Sequence, residues 1–203
     1  MIKQITASLL LTSSLFATDV FQGKQGLVVI EAESTSSSKG KWKKKTSVEG
    51  FSGECHLEFT GNKPANGPAT SPLKYRFTVD KDGEYKLMIR AFKNLEGEPH
   101  DRCNDCYVKL KGDFNTGSEA PLKILKEDGK LYGGSEKSWG WTSRLDVKHK
   151  KYQPLYKLKA GEEYLLTISG RSQRFNMDQI IFKHSSVTDK KVKSGKLTES
   201  NKK

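Results

Sequence analysis

The chain is 203 residues long, 30% charged and 34% hydrophobic, with a formal net charge of +12. That composition suits one globular domain with polar extensions, and no stretch reaches the roughly 20 apolar residues of a membrane-spanning helix. The positive balance fits an acidic polymer or surface as partner, and fits simple solubility equally well.

The first 17 residues, "MIKQITASLLLTSSLFA", place Lys3 before an apolar run that ends in small residues. This is the order of a secretory signal, with removal expected near Ala17 and the mature protein secreted or periplasmic. "VVIEAES" (28–34) follows as the first strand. Residues two apart in an extended chain share a face, so Val28, Ile30 and Ala32 form one side, and Val29, Glu31 and Glu33 the other. Two carboxylates in a half-buried site repel each other unless something neutralises them. The pair therefore either faces water or holds a hard cation such as calcium, which prefers oxygen ligands. Spacing alone leaves both open. Next, "KGKWKKK" (39–45) sets five lysines around Trp42; it reads either as a solvated basic loop or as a contact for an anionic glycan.

Period-two alternation marks the strands. "PLKYRFTV" (72–79) turns Leu73, Tyr75, Phe77 and Val79 to one face, and "EYKLMIRAF" (84–92) does the same with Tyr85, Leu87, Ile89 and Ala91. The turn "DKDG" (80–83) between them predicts a hairpin. "EYLLTISG" (163–170) and "DQIIFKH" (178–184) are further strands; 55–59, 106–110, 121–125 and 141–147 are weaker ones. Many short strands and no long helical stripe predict an all-β protein, a jelly-roll β-sandwich of two antiparallel sheets. Three cysteines, Cys55, Cys103 and Cys106, leave at least one unpaired, and an oxidising compartment favours a bridge from Cys55 to one of the others. The end of the chain, 185–203, has six lysines and few apolar residues, and is expected to be a disordered basic tail. The sandwich domain is accordingly bounded at 18–184.

Three stretches together resemble the family 6 group of carbohydrate-binding modules: "VVIEAES", "LKYRFTVDKDGEYKLMIRA" and "LKAGEEYLLTISGRSQRFNMDQIIF". The resemblance spans Leu27 to His184. It implies a jelly roll that binds a polysaccharide or oligosaccharide and performs no chemistry. It also implies a structural calcium held by Glu31, Glu33 and Asp178, tying the first strand to the last. For the sugar cleft it implies Asn176 and an aromatic platform, here Trp139. A second aromatic is expected from the loop 60–71, which contains none. Arg171 and Arg174 flank Asn176 and are candidates for bidentate contacts to a carboxylate or sulfate; Trp42 is a further ligand candidate.

The four histidines lie in unrelated surroundings, and no nucleophile, metalloprotease or phosphate-loop motif occurs, so the protein is read as a non-enzyme. The positive charge is scattered, with neither a stacking motif nor a basic amphipathic helix, which argues against nucleic acid. A glycan-degrading enzyme on a separate chain is an expected partner. The alternative is a secreted structural or adhesive sandwich without a working cleft.

Overall fold

The computed structural model describes residues 19–117, 120–194 and 197–203, so the expected leader 1–17 lies outside the described residues. In chain order the strands are β1 (Val20–Gln22), β2 (Leu27–Glu31), β3 (Trp42–Lys45), β4 (His56–Phe59), β5 (Thr70–Thr78), β6 (Gly83–Lys93), β7 (Asp105–Lys111) and β8 (Asn115–Thr116). A short helix α1 (Leu122–Lys126) precedes β9 (Gly129–Tyr132), β10 (Gly140–Thr142), β11 (Leu145–Val147), β12 (Lys150–Tyr152), β13 (Leu155–Leu158), β14 (Glu163–Gly170) and β15 (Phe175–His184), and helix α2 (Asp189–Ser194) follows. One sheet runs β1-β5-β14-β7-β9-β11-β12. The other runs β3-β4-β15-β6-β13-β8, with β10 on β6 and β2 on β15. Among the described residues β1–β5 is the one parallel pair of named strands, beside an isolated parallel bridge between Phe92 and Ser135.

The alternating residues fill the space between the sheets as the sequence predicts. Leu73, Tyr75 and Phe77 enter from one side, Tyr85, Leu87 and Ile89 from the other, all at most 1% exposed. Phe77 stacks on Phe182 across the core at 4.3 Å, and Phe182 meets Tyr156 in its own sheet. Each such aromatic contributes on the order of 1.5–3 kcal/mol by burial.

Five expectations are corrected. β5 and β6 do not form a hairpin: they lie in different sheets, and 80–83 carries the chain across the sandwich. Alternation tells which face is buried, and both faces look into the same core from opposite walls; it does not name the partner strand. The expected strand 121–125 is replaced by helix α1 over 122–126, and 141–147 is divided between β10 and β11, in different sheets. The cysteines form no bridge; all three are buried free thiols.

The fifth correction concerns the tail. Val187 and Val192 are buried against Leu27, Val29, Met88 and Ile181 on the outer face of the second sheet. Asp189 pairs with Lys86 and Lys183. Further on, Ser200 exchanges hydrogen bonds with Val29, and Lys203 with Val20, so 197–203 closes the open edges of β1 and β2. Composition counts apolar residues; it does not see that two valines suffice when an uncovered apolar face awaits them.

Candidate functional site: one loop between a carboxylate cluster and an aromatic cleft

β3 and β4 pair antiparallel, Trp42 opposite Phe59 and Lys45 opposite His56. The loop 46–55 that joins them serves two neighbouring sites. Its second half gathers the three predicted carboxylates. Ser52 N–H donates to Asp178 Oδ1 (2.8 Å), and Ser52 Oγ donates to Glu31 Oε2 (2.8 Å) and reaches Asp178 Oδ2 (3.2 Å). The amides of Glu54 and Cys55 donate to Glu33 Oε1 at 2.9 and 3.3 Å. At Gly53 (φ +67°) an added Cβ would lie 2.3 Å from Glu33 Oε1 and 3.2 Å from Glu31 Cγ, so only glycine lets the loop come this close.

Asp178 owes its place to a bulge. β15 pairs with β4 through Asn176 and Met177, and with β2 from Gln179 onward; the register with β6 shifts between Met177 and Gln179. The core-facing parity changes there, from Phe175 and Met177 to Ile180 and Phe182. A bulge re-aims the side chain it carries, here into the cluster. Glu33 arrives differently: β2 ends at Glu31, and a single 3-10 turn over Ala32–Ser34 brings Glu33 inward.

Neither glutamate faces water: Glu31 is 7% exposed, Glu33 8% and Asp178 0%. Burial raises the pKa of all three; repulsion from Asp178 adds to it at both glutamates, while Ser52 and Arg90 partly offset it at Asp178, and Glu31 is pushed up to about 7. One cation is in contact: Arg90 Nη1 pairs with Asp178 and Nη2 donates to the Gly50 carbonyl (3.0 Å). Gln179 Nε2 donates to Glu31 Oε1 (2.7 Å), while Glu33 Oε2 is buried without any hydrogen bond. Among the described residues no three His, Cys, Asp or Glu side chains close into a metal-binding geometry; the carboxylates converge on Ser52, and Asp178 is turned to Arg90. The donor chemistry nonetheless fits a hard cation, all oxygen, with an orphaned carboxylate oxygen in the interior.

The first half of the same loop forms the wall of a cleft. Val48, Glu49 and Gly50 face Arg90, Phe92, Lys137 and Trp139 around a cavity of 470 Å³. Trp139, half-buried, donates Nε1–H to the Glu49 carbonyl (3.0 Å). Its ring meets Phe92 at 5.9 Å and His56 edge-on at 5.2 Å, with the Arg90 guanidinium 5.7 Å from its centre. Phe51 packs on His56 at 5.8 Å. These are the aromatics that sequence reasoning missed. It searched 60–71, whereas the structure draws them from the loop after β3 and the end of β6; Phe51 in "VEGFSGE" was the available signal. His56 is fully buried and held neutral, its pKa lowered to about 4 by burial first and by the charge of Lys45 second.

The other predicted ligand residues fare unevenly. Asn176 shares the cluster, close to His56, but is fully buried; Nδ2 donates to the Arg174 carbonyl (2.9 Å) and Oδ1 has no hydrogen bond. Arg171 is committed to Asp105 and to the Tyr107 hydroxyl (3.3 Å). Arg174 pairs with Glu96 (3.0 Å) and Glu98 (3.4 Å). Both guanidinium groups are thus neutralised within the protein. Trp42 is a core residue, 2% exposed, packed on Phe59 with Nε1–H on the Ser71 carbonyl (3.0 Å). A larger groove, 530 Å³, crosses the first sheet beside Lys74, Arg76 and Glu163. Its aromatic residues Phe21, Tyr75 and Tyr164 are at most 2% exposed, so it offers no ring for stacking.

No family model matches the chain, and no curated protein matches it in sequence. Solved structures do. A β-(1,4)-mannanase of Podospora anserina that carries a family 35 carbohydrate-binding module aligns with a TM-score of 0.53 at 13% identity, over 81% of this chain. The alignment spans 29% of the mannanase. The family 35 module of Paenibacillus barcinonensis aligns with a TM-score of 0.47 at 14% identity, over 78% of this chain and 99% of that one. The C-terminal family 6 module of a marine laminarinase from Zobellia galactanivorans gives 0.43 at 16%, over 77% and 98%. The β-sandwich that the family 6 resemblance implies is the fold found.

Proposed function

We propose that the protein is an exported, non-catalytic carbohydrate-binding module that takes a polysaccharide of the acidic or sulfated class in the cleft at Trp139. The observation that carries this reading is the cleft itself, with half-buried aromatic rings lining a cavity of sugar size beside polar backbone and Arg90. A pyranose presents an apolar C–H face to a ring and needs fixed polar groups for its hydroxyls. Calcium, held by Glu31, Glu33 and Asp178, is the proposed structural ion. It would neutralise the buried carboxylates and so stiffen the loop whose other half walls the cleft; Asp178 would exchange Arg90 for it. The test is a glycan array with wild type and Trp139→Ala. Losing a stacking contact of about 1–3 kcal/mol weakens binding roughly tenfold or more. Unchanged binding would move the site elsewhere.

The second reading, a structural or adhesive sandwich, is favoured by the full burial of Asn176. It predicts that wild type binds no glycan on the array.

A further inference from the structure

With Arg171 and Arg174 neutralised by Asp105, Glu96 and Glu98, the positive charge that could read an acidic polymer lies elsewhere. β3 carries it. Trp42 points into the core, so Lys43 and Lys45 share the opposite, solvent face of β3; Lys44 is exposed as well, and exposed Lys41 immediately precedes the strand. At about 3.3 Å per residue the backbone positions of Lys43 and Lys45 stand roughly 6–7 Å apart, with Lys41 just ahead of them in the chain. Among the described residues no carboxylate pairs with any of them, although Glu58 stands opposite Lys43 in the ladder.

β3 is the outer strand of its sheet, and edge lysines discourage sheet-to-sheet aggregation. One or two suffice for that purpose. A longer row concentrates positive charge that an external polyanion neutralises with release of its counterions. The row also has a direction. It runs from Lys41 through Lys45 into Ser47–Gly50, the wall of the cleft, and Lys45 is close enough to act electrostatically on His56 beside Trp139.

We infer that the lysine row of β3 is a docking track for an anionic polysaccharide, continuous with the aromatic cleft: one sugar stacks at Trp139 while carboxylates or sulfates further along the chain lie on Lys45, Lys43 and Lys41. This rests on the cleft being a glycan site. Nucleic acid fits the row less well, because the ring within it, Trp42, is buried, leaving the cleft at one end rather than a succession of rings along the track for bases to stack on.

The experiment titrates the full chain with polygalacturonate and with a neutral mannan at about 50 and about 200 mM salt, comparing wild type, K41Q/K43Q/K45Q and Trp139→Ala. Melting curves check that each variant folds. The triple variant is expected to lose at least about tenfold for polygalacturonate, to lower the salt slope of log K by about 2–3, and to keep wild-type behaviour toward any neutral chain bound. Trp139→Ala weakens both polymers. Wild-type affinity and salt slope for polygalacturonate in the triple variant would overturn the track while leaving the cleft in place. If wild type binds neither polymer, the glycan reading falls and the track with it. Equal, lysine-dependent binding of duplex DNA or phosphatidylserine vesicles would replace it with a non-selective polyanion surface.

Discussion

The molecule crowds like charges in two places, at opposite ends of the β3–β4 turn. Glu31, Glu33 and Asp178 are packed into the interior around Ser52; Lys41, Lys43, Lys44 and Lys45 stand in water on an edge strand. Repulsion is present in both, but its consequences differ with the surroundings. In the interior, desolvation multiplies the cost of each charge, so the cluster must be relieved by protons, by Arg90 or by a bound cation, and the relief is felt as stability. On the surface, solvent and salt screen the lysines, folding hardly senses them, and relief comes from a partner that releases their counterions. One site should therefore report through unfolding and the other through binding.

The largest effect expected is on the pH dependence of stability without metal. The folded pKa of Glu31 is raised from 4.5 to about 7, so the folded state holds its proton more tightly than the unfolded one. Its contribution is fully present below pH 4.5 and lost as pH rises through about 7, on the order of 3 kcal/mol for a change of that size. His56 acts with the opposite sign. Its pKa falls from 6.5 to about 4, so its contribution is present above pH 6.5 and lost as pH falls toward 4. The two nearly offset each other in wild type between about pH 4.5 and 6.5. Glu33 and Asp178 are raised as well and act with Glu31, so the test is a difference: in urea unfolding with chelator, the stability of Glu31→Gln should climb with pH relative to wild type by on the order of 3 kcal/mol. A variant profile parallel to wild type would mean that Glu31 is not the buried, proton-hungry group described.

Calcium comes next. At about 100 times its dissociation constant a ligand specific for the folded state adds about 2.7 kcal/mol, so thermal unfolding should shift upward with calcium and return with chelator. Glu33→Gln should abolish the shift without lowering metal-free stability. The orphaned Oε2 is replaced by an amide, and the remaining oxygen still accepts from Glu54 and Cys55. A melting temperature indifferent to calcium would leave Arg90 as the cluster's neutraliser.

The two regions were also unequally legible in the sequence. The strands are readable because period-two alternation is a local property, and so is the closeness of Glu31 and Glu33; their meeting with Asp178 is what the family resemblance implied. The parity change from Phe175 and Met177 to Ile180 and Phe182 was also in the sequence, and it marks the bulge that aims Asp178. What could not be read was the pairing of elements. Whether 80–83 closes a hairpin or crosses between sheets, which loop supplies Phe51, and which acids face Arg171 and Arg174 all depend on contacts between distant residues. Trp42 was misread for the same reason: among five lysines it looks like an exposed platform, yet the strand's alternation turns it to Phe59.

The smallest effect is expected on the lysine side, and it is the sharpest test of the contrast. Lys43 is exposed, makes no ion pair among the described residues, and stands beside two like charges. Surface changes away from packed or paired groups usually stay within about 0.5 kcal/mol, and removing one charge from a repelling row should, if anything, favour folding. Lys43→Gln is therefore expected to leave urea unfolding unchanged within that margin at low and high salt, with or without calcium. A loss of a kilocalorie or more would show that Lys43 is held by Glu58 across the ladder. The row would then belong to the fold, as the carboxylate cluster does, rather than to a partner.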